Sequence, residues 1–153
     1  MNEHSDEWVR LVRLQKGTRL ALYSLLEFAA EPERQISAAQ IAVKFGISPH
    51  HLAKVLRDLG RAGLVESVRG VGGGYRFSGN AKRLTLMDVI ELFEDISGGS
   101  EANTDPGAAT DVGGGLGMVL GEIDEIAKAT FRSISIETML KLVERRRAAA
   151  AKI

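Results

Sequence analysis

Between Ser37 and Arg61 a single glycine, Gly46, divides two stretches that each carry the apolar spacing of a short helix. In Ile36-Ser37-Ala38-Ala39-Gln40-Ile41-Ala42-Val43-Lys44-Phe45-Gly46-Ile47-Ser48, the residues Ala38, Ile41, Ala42 and Phe45 share the core-facing side of a helix over 38–45. Ser37 caps its start, and Gly46 ends it in a left-handed turn that glycine adopts without a Cβ penalty. Ser48-Pro49 opens a second helix over 49–62. The serine is expected to accept a free backbone N–H, and proline at the first helical position forfeits no bond. Ile47 plugs the space beneath the turn. Helices packed this closely at a steep angle need small or apolar residues between them, which is the requirement of a helix-turn-helix unit.

The second helix divides into two faces. Leu52, Val55, Leu56 and Leu59 recur at spacings 0, 3, 4 and 7, a stripe for the core. His50, Lys54, Arg57 and Arg61 recur at 0, 4, 7 and 11 and carry positive charge. A helix seated in a major groove needs one anchored face and one that reaches bases and phosphates. A solvated charged face is the plainer alternative, but the position directly after the glycine turn favours nucleic-acid contact. His51 adjoins His50. Sequence neighbours on a helix point about 100° apart, a poor chelate, so the pair is assigned to DNA contact or pH-tuned charge and not to a metal.

The flanking chain completes a recognisable order. A first helix over 14–30 presents Leu20, Leu22, Tyr23, Leu25, Leu26 and Ala29, and Glu31-Pro32-Glu33 stops it. After Gly63 the alternating run Leu64–Val68, a glycine-rich tip and Tyr75–Phe77 read as a β-hairpin. Arg69 and Arg76 flank that tip, placed for phosphates or a narrow minor groove, with Gly72 and Gly73 allowing close approach and Tyr75 beside them. A phosphate-cradling loop is excluded, because no Lys-Ser or Lys-Thr and no helix follow the glycines. Thr85 and Asp88 make a capping-box start for a helix over 86–96 with Leu86, Val89, Ile90 and Phe93 on one face. Residues 97–115 hold six glycines and a proline and are expected to be a flexible loop. Leu116, Val119, Leu120, Ile123, Ile126, Ala127 and Thr130 then follow heptad-like spacing over 116–131, and a last helix starts near 136.

The fold class is therefore mainly α with a small β-hairpin wing: a winged helix-turn-helix over 12–83, an N-terminal extension over 1–11, a connecting helix over 84–96, the loop, and C-terminal helices over 116–153. Trp8 in the extension is expected to pack on a neighbouring helix or partner. The formal net charge is zero, yet residues 1–83 hold 13 Lys and Arg against 8 Asp and Glu, and 84–153 hold 7 against 12. Within 44–83 the balance is 8 to 2, a local basic stretch suited to phosphate attraction. The chain has no cysteine, which excludes disulfides, cysteine zinc sites and thiol nucleophiles. With three histidines and no Ser/His/acid set in plausible order, no catalytic constellation is found. A polar start and no apolar run of membrane length make the cytoplasm the expected location.

Arg13-Leu14, Ile47-Ser48 through Leu52, Leu59-Gly60-Arg61-Ala62-Gly63-Leu64-Val65, Val68-Arg69-Gly70-Val71-Gly72-Gly73-Gly74-Tyr75 and Leu84-Thr85-Leu86-Met87-Asp88-Val89-Ile90 together resemble the Rrf-two family of bacterial regulators (the IscR and NsrR type). The resemblance covers 12–96 closely and 116–147 by layout. It implies a transcriptional regulator of double-stranded DNA, and a homodimer whose long helices cross through Leu116, Val119, Leu120, Ile123, Ile126 and Ala127. Each wing and recognition helix would meet one half-site of a palindrome. It also implies a sensor role, exercised in the best-known members by three cysteines in the loop before the long helix that hold an iron–sulfur cluster. Here that loop has none, so no cofactor is expected and the effector is unknown. A dimeric repressor is the leading expectation. The alternative is a module acting through a partner protein or small metabolite, with Asp88, Glu91, Glu94 and Asp95 as an acidic surface for a basic partner.

Overall fold

The computed structural model describes residues 13–70, 73–94 and 106–152. Helix α1, Lys16–Ala30, is the central beam, burying Leu20, Ala21, Leu25, Phe28 and Ala29. It ends at Glu31, immediately before Pro32, as steric exclusion of the helical region before proline requires. Helix α2, Ala38–Phe45, starts in a complete capping box: Gln40 N–H donates to Ser37 Oγ at 3.1 Å, and Ser37 N–H to Gln40 Oε1 at 2.9 Å. Gly46 takes φ +62°, and Ile47 N–H reaches back to the Ala42 carbonyl at 2.9 Å, closing the turn. Helix α3, Pro49–Arg61, buries Leu52, Val55, Leu56 and Leu59. Each fully buried leucine contributes roughly 1.5–3 kcal/mol, so this stripe is what seats α3 on α1 and α2.

A left-handed Gly63, φ +77°, turns the chain into strand β1, Val65–Val68, which pairs antiparallel with β2, Gly74–Phe77. Val65 and Phe77 oppose each other at the base of the hairpin and close the core. The other edge of β2 is also used, because Ile36 and Tyr75 exchange two backbone hydrogen bonds of 2.9 Å each. The wing is thereby stitched to the residue just before the α2 cap. Helix α4, Leu86–Phe93, opens on the Thr85–Asp88 capping box. A Thr85–Ser135 bridge places that cap beside the cap of α6, Ile136–Ala151.

Two boundaries differ from expectation by three residues or more. Helix α4 ends at Phe93, not at 96. The loop expected over 97–115 gives way at Pro106 to a short 3-10 turn, Pro106–Ala109, and then to helix α5, Asp111–Ser133, five residues earlier than 116. The glycines at 113–115 are therefore helical. Thr110 supplies the missing start signal: its hydroxyl accepts from Gly113 N–H at 3.0 Å and donates to the Gly107 carbonyl at 2.7 Å. A Cβ on Gly113 would lie 1.9 Å from the Gly107 oxygen, so the turn can fold onto the helix only over a glycine. No residue of α5 is buried, and Lys128 is paired to Asp124 at 3.1 Å and Glu125 at 3.3 Å. Hydrogen bonding to Asp124, and then to Glu125, raises its ammonium above the ordinary lysine value. Among the described residues no helix is long and apolar enough to cross a membrane.

Candidate nucleic-acid interface

Helix α3 separates its two faces as its periodicity requires. Leu52, Leu56 and Leu59 are fully enclosed, while His50, Lys54, Arg57 and Arg61 are all exposed. None of Lys54, Arg57, Arg61 and Arg69 forms an ion pair with another described residue, so these four cations of the helix and wing have no acidic partner among the described residues. Lys44 on α2 is different: Glu27 on α1 holds its ammonium at 2.6 Å, beside the stacked Tyr23 and Phe45 rings, whose centroids are 5.3 Å apart.

Several expected contact residues serve the scaffold. Ser37 is the α2 cap, and its hydroxyl is occupied by Gln40 N–H. Ser48 stands at the α3 cap position but its side chain makes no capping bond, contrary to expectation. His51 is half-buried with Nε2 enclosed and unpartnered, so it does not share the exposed stripe of His50. The ring of Tyr75 lies 6.4 Å from that of Phe28 and anchors the wing to α1. Arg76, expected to flank the tip as a free cation, is instead ion-paired with Glu66 directly across the hairpin. Arg69 is exposed beside Gly70, whose φ is +123°, and Gly73 N–H closes the tip on the Gly70 carbonyl at 2.9 Å. Gly72 and Trp8 lie outside the described residues.

Sequence reading misses two features. One is the Ile36–Tyr75 pairing, whose only local signal is Gly74: a Cβ there would stand 2.6 Å from the Ile36 carbonyl oxygen. The other is Glu94, whose carboxylate accepts from Gln15 N–H at 2.5 Å and from the Thr18 hydroxyl at 2.7 Å, capping α1 from a distant part of the chain. The acids expected to form a partner surface are thus largely committed internally, with Asp88 in the α4 capping box and Glu91 at 4.0 Å from Arg132. Asp95 lies outside the described residues.

The Rrf2 family model, described as an iron-dependent transcriptional regulator, matches residues 14–142. The chain belongs to the Rrf2 family. HTH-type transcriptional regulator BadM of Rhodopseudomonas palustris is 53% identical over 136 residues, covering 89% of this chain and 86% of BadM. Among solved structures, oxidized CymR of Staphylococcus aureus superposes with a TM-score of 0.68 at 22% identity, covering 84% of this chain and 95% of CymR. IscR of T. potens gives a TM-score of 0.66 at 25% identity, covering 88% and 90%. These relatives establish this Rrf2 protein as a winged-helix, DNA-binding transcriptional regulator. The iron implied by the family description is not matched by its donors. There is no cysteine in the sequence, and among the described residues no group of three or more His, Asp or Glu converges on one point. Carboxylate and hydroxyl oxygens do not suit an iron–sulfur cluster, which is held by thiolate, so the residues present do not fit that group.

Proposed function

We propose that two copies of this chain bind a palindromic operator and repress transcription by occupying it. The observation that carries the reading is α3, where one face is enclosed leucine and valine and the other is His50, Lys54, Arg57 and Arg61, exposed and without acidic partners among the described residues. In this reading Arg57 and Lys54 set register and base choice in the major groove, and the wing reaches the flanking backbone through Arg69. Dimerisation is supported by α5, where Leu116, Val119, Leu120, Ile123 and Ile126 are 53–67% exposed and Ala127 lies at their edge. An apolar stripe of that length against water is stabilised by burial against its own copy. Repression needs no further surface, because a dimer seated on a promoter excludes polymerase by occupancy.

Nuclease footprinting of the region upstream of its own gene tests this. The expected result is one protected site containing two inverted half-sites whose centres are about 34–36 Å apart, or a multiple of that, with two protomers per duplex. Transcription of the adjoining gene is expected to rise when the protein is deleted. A protected site with no internal symmetry contradicts the palindrome, and transcription that falls on deletion contradicts repression. Absence of any footprint favours a partner-protein or metabolite role.

A further inference from the structure

We propose that Glu66 and Arg76 are wing-positioning residues. Their cross-hairpin clasp, and not a phosphate contact by Arg76, is what this arginine supplies to DNA binding, leaving Arg69 as the phosphate ligand of the wing. The inference rests on the DNA-binding reading above and names which wing cation serves it.

The hairpin register sets Glu66 opposite Arg76, between the buried Val65–Phe77 pair and the Ser67–Tyr75 pair. Strand alternation sends both charged side chains to the outward face, where the guanidinium Nε–H donates to the Glu66 carboxylate. A two-stranded ribbon of four residues a side is marginal by itself, and among the described residues the second edge of β2 is held only at Tyr75. An opposite-charge pair facing across such a ribbon stiffens it. A phosphate reaching the Nη donors of Arg76 would lie beside the Glu66 carboxylate that the Nε–H already engages, so the gain at the arginine is offset by repulsion from Glu66. Arg69 meets no such competitor: it stands exposed at the tip, and no described acid pairs with it.

Salt titrations of DNA binding separate the two roles, because each lost phosphate contact removes about 0.9 from the log–log salt slope. In a dimer with two wings, Arg69→Gln is expected to lower the slope by about 1.8. Arg76→Gln is expected to weaken binding roughly threefold with the slope unchanged. The swapped variant Glu66→Arg with Arg76→Glu is expected to restore affinity, since a clasp works in either direction and a phosphate ligand does not. Amide exchange of Val65–Val68 in the free protein gives a second arm: faster in Arg76→Gln, restored in the swap. A slope that falls with Arg76→Gln, a swap that stays as weak as the single variant, or hairpin exchange indifferent to all three changes would overturn the proposal. Wild-type protein with no salt-dependent DNA binding would sink the regulator reading instead, and the exchange arm would still decide the clasp.

Discussion

Ile123→Glu is expected to leave the chain folded, make it a monomer, and weaken its hold on a full operator by about 100-fold or more. The fold survives because no residue of α5 is fully buried and Ile123 is 56% exposed. In the proposed dimer the same position lies mid-stripe, with Val119 and Leu120 one turn before it and Ile126 and Ala127 one turn after. A carboxylate placed there from both copies meets apolar groups and its own like charge, and an uncompensated buried charge costs about 3–5 kcal/mol. A monomer also forfeits the second half-site; a factor of 100 corresponds to roughly 2.7 kcal/mol, modest for one recognition helix and wing. Sedimentation and DNA binding on the same sample check both halves. A variant that melts normally and stays dimeric would show that the copies meet elsewhere.

Gly74→Ala is expected to lower stability by about 2–4 kcal/mol and to detach the wing from α2. The new Cβ would lie 2.6 Å from the Ile36 oxygen, 2.8 Å from its carbonyl carbon and 2.9 Å from Ser37 N, all backbone atoms with nowhere to retreat. Strand β2 must move off Ile36, and both 2.9 Å hydrogen bonds of that bridge are lost. At about 2–4 °C per kcal/mol for a chain of this size, the melting temperature falls by about 4–16 °C. Gly60→Ala is the control, since its Cβ meets only the Val65 oxygen at 3.8 Å and alanine is the better helix former. Equal melting of Gly74→Ala and wild type would show that the bridge carries no stability.

The parts of the fold that could be read in the sequence are those encoded locally. Gly46, Pro49 and the leucine spacing of α3 act on residues within a turn of themselves, so the helix-turn-helix and its exposed cation stripe emerge from one strand of text. The resemblance carried by the wing motif extended this to a regulator, and the family match agrees. What stays hidden is non-local. Nothing in Ile36 announces Tyr75 as a partner, and nothing in Glu94 announces the start of α1. Arg76 reads as a free cation until the register places Glu66 opposite it. The glycines at 113–115 read as breakers because helix propensity alone disfavours them, whereas the Thr110 cap and the closeness of Gly107 to Gly113 override that preference. The lack of cysteine is visible at once, and it leaves the chain without the thiolates by which an iron–sulfur cluster is held.

The most direct measurement is the affinity of the purified protein for its own upstream DNA across a salt series, with Arg57→Ala beside the wild type. Arg57 is exposed and forms no ion pair with another described residue, so removing it leaves the core intact and any loss belongs to the interface. The expected result is tight, sequence-preferring binding that weakens steeply with salt and falls by roughly tenfold or more in Arg57→Ala, a base contact being worth about 1–3 kcal/mol. Binding with no preference over unrelated duplex, equal in wild type and Arg57→Ala, would contradict the assignment of α3 as the reading surface.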